Sequence, residues 1–380
     1  MTARQLSHES VLNRAVRYRW LVLFSATALV ALAQVPTAGV SWHYIVTGSH
    51  VLFSPTWPQL FALHPELQMG PLTFLLGAPF VLALHGATGM WAAFVFLLGV
   101  GLLTVRELRS LMRPGDRTAE RRWLLASLAV MVAWGEVAVH YGHVDDAMAL
   151  FFGVLALRLL RSGHPVIGAL AVAIAIDFKP WAVPLIALVL LAPRGRRSKL
   201  LVLISVAVAA VWVPFAVGAG LAGSSALTFT LPIAPASTLH LLLGDGTTPF
   251  WCRPAQLLGG LALAALAIRA GRWPSALVIV IALRMLLDPT THNYYDVGII
   301  IGAAIFDIVV TRKVVPLATV GVLGLIYLPS YALVEYPDVR GVVRTIALVA
   351  IILIGFARAP LIPAGAEPRP GLDRSGRRAQ

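Results

Sequence analysis

Charge is scarce in this chain. Only 12% of its 380 residues are Asp, Glu, Lys or Arg, about half the usage of a soluble domain. Too few polar side chains remain to cover the surface of a water-soluble protein of this length. Cysteine is nearly absent. With Cys252 alone, no disulfide forms within the chain and no cysteine-based metal site is available. The recognised soluble catalytic motifs are missing too. There is no P-loop, no GxSxG elbow, no HExxH and no dinucleotide-binding glycine run.

What is present in quantity is apolar sequence. Hydrophobic residues make up 58% of the chain and the mean hydropathy is +0.82. The composition predicts an all-α, polytopic membrane protein. Apolar runs near 19–35, 90–105, 122–139, 147–161, 165–178, 181–193, 199–219, 254–270, 273–287, 296–311, 314–331 and 342–358 are read as spans. The net charge of +13 does not point to nucleic acid, because the basic residues fall in short loops between apolar runs, as the positive-inside rule produces. Placing every arginine-rich segment in the cytoplasm puts 25 of the 30 Lys and Arg inside. The exceptions are Lys179, Arg253, Arg284, Arg340 and Arg344. That arrangement needs a single crossing between the first outer loop and Arg106, so the run 71–85 is read as a re-entrant or juxtamembrane helix on the outer face.

The expectation is therefore about twelve spans in one integral-membrane domain, 1–358, with a long first outer loop at 36–89. A Pro/Arg-rich cytoplasmic tail, 359–380, would follow. Both termini would be cytoplasmic and the location the plasma membrane.

This topology sorts the polar residues. Eight of the ten histidines and most acids fall outside or at outer helix ends, so the chemistry is expected to face outward. Almost no charge is expected at mid-membrane, which counts against an ion or proton pump. Glu66 is the only carboxylate of the first outer loop; an acid among aromatic and apolar neighbours suits a base, or a plain loop acid. The second outer loop, His140-Tyr-Gly-His-Val-Asp-Asp146, offers two carboxylates opening a helix. They suit capping, substrate contact or, with His140 and His143, a divalent ion; no metal is indicated beyond that possibility. Lys179, Arg253 and Arg284 are outer cations suited to an anionic phosphate. For Arg284, an i,i+4 pair with Asp288 is the plain structural alternative. The turn Asp288-Pro-Thr-Thr-His-Asn-Tyr-Tyr-Asp296 is dense in hydrogen-bonding groups, as a sugar site would be.

The arrangement resembles the GT-C superfamily of membrane glycosyltransferases that use polyprenyl-phosphate sugars. More narrowly, it resembles the bacterial polyprenol-phosphate-mannose-dependent phosphatidylinositol-mannoside mannosyltransferases. The resemblance rests on Val-Ser-Trp-His-Tyr (40–44), His-Pro-Glu-Leu-Gln-Met-Gly-Pro-Leu (64–72), Gly142-His-Val-Asp145, Phe178-Lys-Pro-Trp181 and Asp288-Pro-Thr-Thr-His292. It implies an inverting transfer of mannose or a related sugar from a polyprenyl-phosphate donor to a lipid-linked or envelope glycan acceptor. Glu66, Asp145 and Asp146 are the candidate catalytic acids. His43, His64, His143, Lys179, Arg253, Arg284 and His292 are the candidate contacts to sugar and phosphate. The chain departs from the family at one position: where the family carries a first-loop aspartate, this sequence has Ser41, which cannot act as a base at neutral pH. The acid has then moved to Glu66 or to Asp145/Asp146, or the activity is lost or different. A lipid or polysaccharide transporter, and a non-catalytic membrane scaffold, are the alternatives.

Overall fold

The computed structural model of the chain describes residues 11–113, 115–219 and 229–357. The expected tail at 359–380 lies outside the described residues. Within them the secondary structure is helical, apart from one isolated bridge between Pro232 and Thr247.

A helix occupies each expected apolar run. The principal ones are α1 (Arg19–Gln34), α2 (Trp42–Leu52), α3 (Pro71–Ala78), α4 (Gly86–Arg109), α5 (Arg117–Gly135), α6 (Val144–Arg161) and α7 (Pro165–Phe178). They continue as α8 (Arg197–Ala219), α9 (Cys252–Arg269), α10 (Ala276–Leu286), α11 (Tyr295–Val310), α12 (Leu317–Val322) and α13 (Pro337–Ala357). Between α7 and α8 the chain winds as a 3-10 helix over Pro180–Leu191, with Pro184 inside it. Such runs seldom exceed three or four residues. Among the described residues, five stretches are long and apolar enough to cross a bilayer: Arg19–Thr37, Gly86–Arg109, Arg117–His140, Arg194–Gly218 and Pro337–Ala357. Others are too short to cross by themselves. α7, for example, has 14 residues, about 21 Å of α-helix against a hydrocarbon core of about 30 Å.

Burial divides the helices into two kinds. α10 and α11 are apolar on nearly every face and buried on nearly every face, as the centre of a bundle requires. α1, α8 and α13 instead turn large apolar side chains outward, among them Phe24, Leu32, Val206, Val217, Ile346 and Leu353. An apolar outer belt around an apolar core is the pattern of a protein solvated by lipid.

Local chemistry fixes the helix ends. Asp116 caps α5 by accepting from the Ala119 amide at 3.0 Å. Asp307, fully buried near the end of α11, accepts from the Thr319 amide (2.7 Å), the Ala318 amide (3.2 Å) and two threonine hydroxyls. It thereby caps α12, where a carboxylate also meets the positive end of the helix dipole. Arg122 of α5 donates to the Ile308 and Lys313 carbonyls beside it.

The run 71–85 forms α3 followed by a wide π-type turn, Pro79–Ala83. α3 packs on α2 and α7. Ser49 donates to the Phe74 carbonyl (3.0 Å) and Thr73 to the Phe178 carbonyl (3.0 Å). Gly70, just before α3, donates its amide to the same Phe178 carbonyl at 2.8 Å. A Cβ at Gly70 would lie 1.8 Å from the Asp177 carbonyl oxygen. Only glycine permits this approach, and it docks the first loop on the chain immediately before Lys179.

Candidate functional site

α5 ends in a second π-type turn, Glu136–His140, and the chain then reverses through Gly142 at φ +68°. That left-handed turn suits glycine and swings His143 inward at the start of α6. The amides of Gly39, Val40 and Ser41 donate in register to the carbonyls of Val139, His140 and Tyr141, at 2.9–3.0 Å. Ser41 is thus buried against the loop that carries His143.

Asp145 and Asp146 occupy the first turn of α6, both buried. One oxygen of Asp145 takes the His143 Nδ1 hydrogen bond at 2.9 Å, and the other pairs with Lys179. Lys179 also lies 3.4 Å from Asp146 Oδ2. Asp146 Oδ1 accepts from the Trp181 indole at 2.7 Å and faces the Arg284 guanidinium at 3.5 Å. Asp146 Oδ2 receives no hydrogen bond from the described residues. Arg284 is held between two rings, 4.9 Å from that of Trp181 and 4.3 Å from that of Tyr295. His143 stacks on Tyr294 with centroids 4.0 Å apart.

The group draws on four separated stretches: the start of α6, the α7 end, α10 and the start of α11. Two carboxylates face one ammonium and one guanidinium, so opposite charges offset most of the cost of taking them out of water. Burial works to lower the Lys179 pKa, but Asp145 and then Asp146 outweigh it and raise it, so the lysine stays charged. The donor atoms of His143, Asp145 and Asp146 lie within 4.8 Å of one another, close enough for a metal ion. Lys179 already supplies positive charge at that point.

The other expected contacts lie at the margin. His292 lies beside the Tyr141 and Tyr294 rings. Displaced water, then the charges of His143, Arg344 and Lys179, depress its pKa, while Asp288 pulls it up. Asp288 accepts from the Thr290 amide and hydroxyl. Arg253 donates to Gln68 and to the Phe229 carbonyl, tying the start of α9 to the first loop. Glu66 is 40% exposed and pairs with His64 at 3.0 Å; neither contacts the buried cluster. His43 is exposed and lies against Tyr44. A cavity of about 440 Å³ opens between α2 and the turn after α3, lined by Trp42, Val46, His50, Val81, His85 and Met90.

Trp181, Tyr294 and Tyr295 wall the site; they belong to the 178–181 stretch and the 288–296 turn noted in the sequence, which does not assign them this role. A second buried polar group lies next to it. Glu136 accepts from Gln34 (2.7 Å) and Tyr331 (2.6 Å). Asp296, one residue beyond Tyr295, accepts from Ser330 at 3.1 Å. Buried Arg344 of α13 lies near it, with Nε and Nη2 unpartnered among the described residues.

Comparison with family models, with curated proteins and with solved structures finds no match to this chain.

Proposed function

We propose that the chain is a membrane glycosyltransferase acting on the outer face of the plasma membrane, with about twelve crossings and cytoplasmic termini. It takes mannose or a related sugar from a polyprenyl-phosphate donor and passes it, with inversion, to a lipid-linked or envelope glycan. The observation that carries this reading is the convergence of Asp145, Asp146, Lys179 and Arg284 in one buried, aromatic-walled cluster beside the docked first loop.

In this reading the acceptor hydroxyl gives its proton to Asp146 Oδ2, the cluster carboxylate oxygen that lacks a hydrogen-bond donor among the described residues. The acceptor oxygen bonds to the anomeric carbon as the bond from that carbon to the phosphate oxygen breaks. Lys179 and Arg284 stabilise the charge gathering on the departing polyprenyl phosphate, as preorganised cations do. Asp145 orients His143 and Lys179, and His292 and the 288–296 turn meet the sugar. The apolar cavity between α2 and α3 takes the start of the prenyl chain.

The test is transfer from radiolabelled polyprenyl-phosphate mannose in membranes. Asp146→Asn should lose ~10²–10⁴ in rate with protein level unchanged, while Glu66→Ala stays near wild type. Retention of activity within tenfold by Asp146→Asn removes it as the base.

A second reading, a lipid or polysaccharide transporter, draws on the buried Asp296 and Arg344. It requires substrate movement that depends on a gradient and survives Asp146→Asn.

A further inference from the structure

The helix α6, which carries Asp145 and Asp146 at its start, lines a different cavity at its other end, together with the end of α4 and the start of α5. It measures about 560 Å³ and is lined by Trp20, Arg106, Arg109, Arg113, Glu120 and Arg158, with Glu107. A pocket of this size suits a small ligand. It sits where the membrane-crossing stretches Gly86–Arg109 and Arg117–His140 end and begin, and so at a bilayer boundary.

Four arginines face two carboxylates in this space. Arg109 pairs with Glu120 at 2.6 Å, and Arg158 pairs with Glu107. Those two pairs neutralise each other and hold the walls in place; Arg109 also lies 5.7 Å over the Trp123 ring, which Trp20 meets edge-on. Arg106 and Arg113 have no carboxylate within ion-pair distance among the described residues. The cavity therefore has a surplus of two positive charges, an aromatic wall and access to the lipid boundary. Guanidinium groups favour phosphate oxygens through paired N–H donors, and basic pockets between membrane helices take acidic lipid headgroups.

We propose that this cavity binds the phosphate headgroup of an acidic phospholipid, with Arg106 and Arg113 as its counter-charges and Trp20 against the glycerol and upper acyl region. Fixed arginine pairs shape the pocket and free ones hold the ligand. The site is independent of the transfer reaction proposed above.

Native mass spectrometry of the full chain in a neutral detergent tests this, titrating phosphatidylglycerol, phosphatidylcholine or inorganic phosphate. Phosphatidylglycerol should bind at least tenfold tighter than phosphatidylcholine. The Arg106→Gln/Arg113→Gln variant should lose that preference, weakening phosphatidylglycerol by an order of magnitude or more. Both residues are exposed, so the fold should survive. Arg194→Gln/Arg196→Gln removes two exposed arginines at the same end of the bundle but outside the cavity, and should leave binding unchanged. Equal loss in that control would overturn the proposal, since diffuse surface charge would then explain the preference. Inorganic phosphate displacing the lipid at equal concentration would overturn it as well, because the ligand would be free phosphate.

Discussion

Arg284 pairs with Asp146 on another helix, 3.5 Å away, rather than with Asp288 one turn further along its own chain. The local i,i+4 pair, the plain alternative for Arg284, does not form; Asp288 accepts from the Thr290 amide and hydroxyl. The guanidinium is drawn instead between the Trp181 and Tyr295 rings. Removing one member of a buried pair leaves the other uncompensated, at about 3–5 kcal/mol. Arg284→Leu should therefore destabilise strongly in detergent unfolding. The Asp146→Asn/Arg284→Leu double variant should lose less than the sum of the single losses. Additive losses would mean the two side chains do not act as a pair.

Gly70 makes the closest backbone approach between the first loop and α7. Gly70→Ala should cost about 1–3 kcal/mol through overpacking against an immobile carbonyl. Gly99→Ala, in α4 with open space at its Cβ position, should be neutral or slightly stabilising. Thermal unfolding of the two variants side by side checks the contrast.

Lys179 sets the response to divalent ions. In the wild type it lies beside both aspartates, so a chelator should leave the unfolding midpoint unchanged. Lys179→Met leaves His143, Asp145 and Asp146 with an excess of negative charge in a site of metal-binding dimensions. Millimolar Mn²⁺ or Zn²⁺ should then raise the midpoint of that variant and not of the wild type. An equal ion effect on both proteins would refute this account of the lysine.

The depressed pKa of His292 gives a pH dependence with a defined sign. The unfolded histidine, near its ordinary value of about 6.5, takes up a proton before the folded one does. The neutral ring's contribution is thus complete above about pH 6.5 and falls away as pH drops toward the lower folded value. His292→Gln should lose less stability than the wild type between pH ~7.5 and ~5.5. Parallel melting curves at the two pH values measure the difference.

The helices were legible in the sequence because lipid-solvated segments must be long or apolar, and the runs that form α1, α4, α8 and α13 are both. The candidate cluster was legible in part: Asp145, Asp146, Lys179 and Arg284 stand out as charges in apolar surroundings. Their pairing was not, because it depends on how distant helices pack. The Tyr331 bond to Glu136 joins residues 195 apart, and no local spacing encodes it. The same holds for the aromatic walls. Trp181 and Tyr295 lie in stretches that the sequence does single out, 178–181 and 288–296, but their place around a guanidinium depends on tertiary packing.

The 3-10 winding of Pro180–Leu191 changes what its length means. At about 2.0 Å per residue, its 12 residues reach about 24 Å, where an α-helix of the same residues would reach about 18 Å. With three residues per turn its side chains fall into straight rows, so Trp181, Pro184 and Ala187 form one file and Ala182, Leu185 and Leu188 another, all six buried. A rod of this kind does not drift around its axis, and the file that begins under Asp146 runs without a break toward the opposite side of the bundle. An α-helical replacement would be shorter by about a quarter and would turn part of that file away from its neighbours. Trp181 and the start of α8 could then no longer both keep their places.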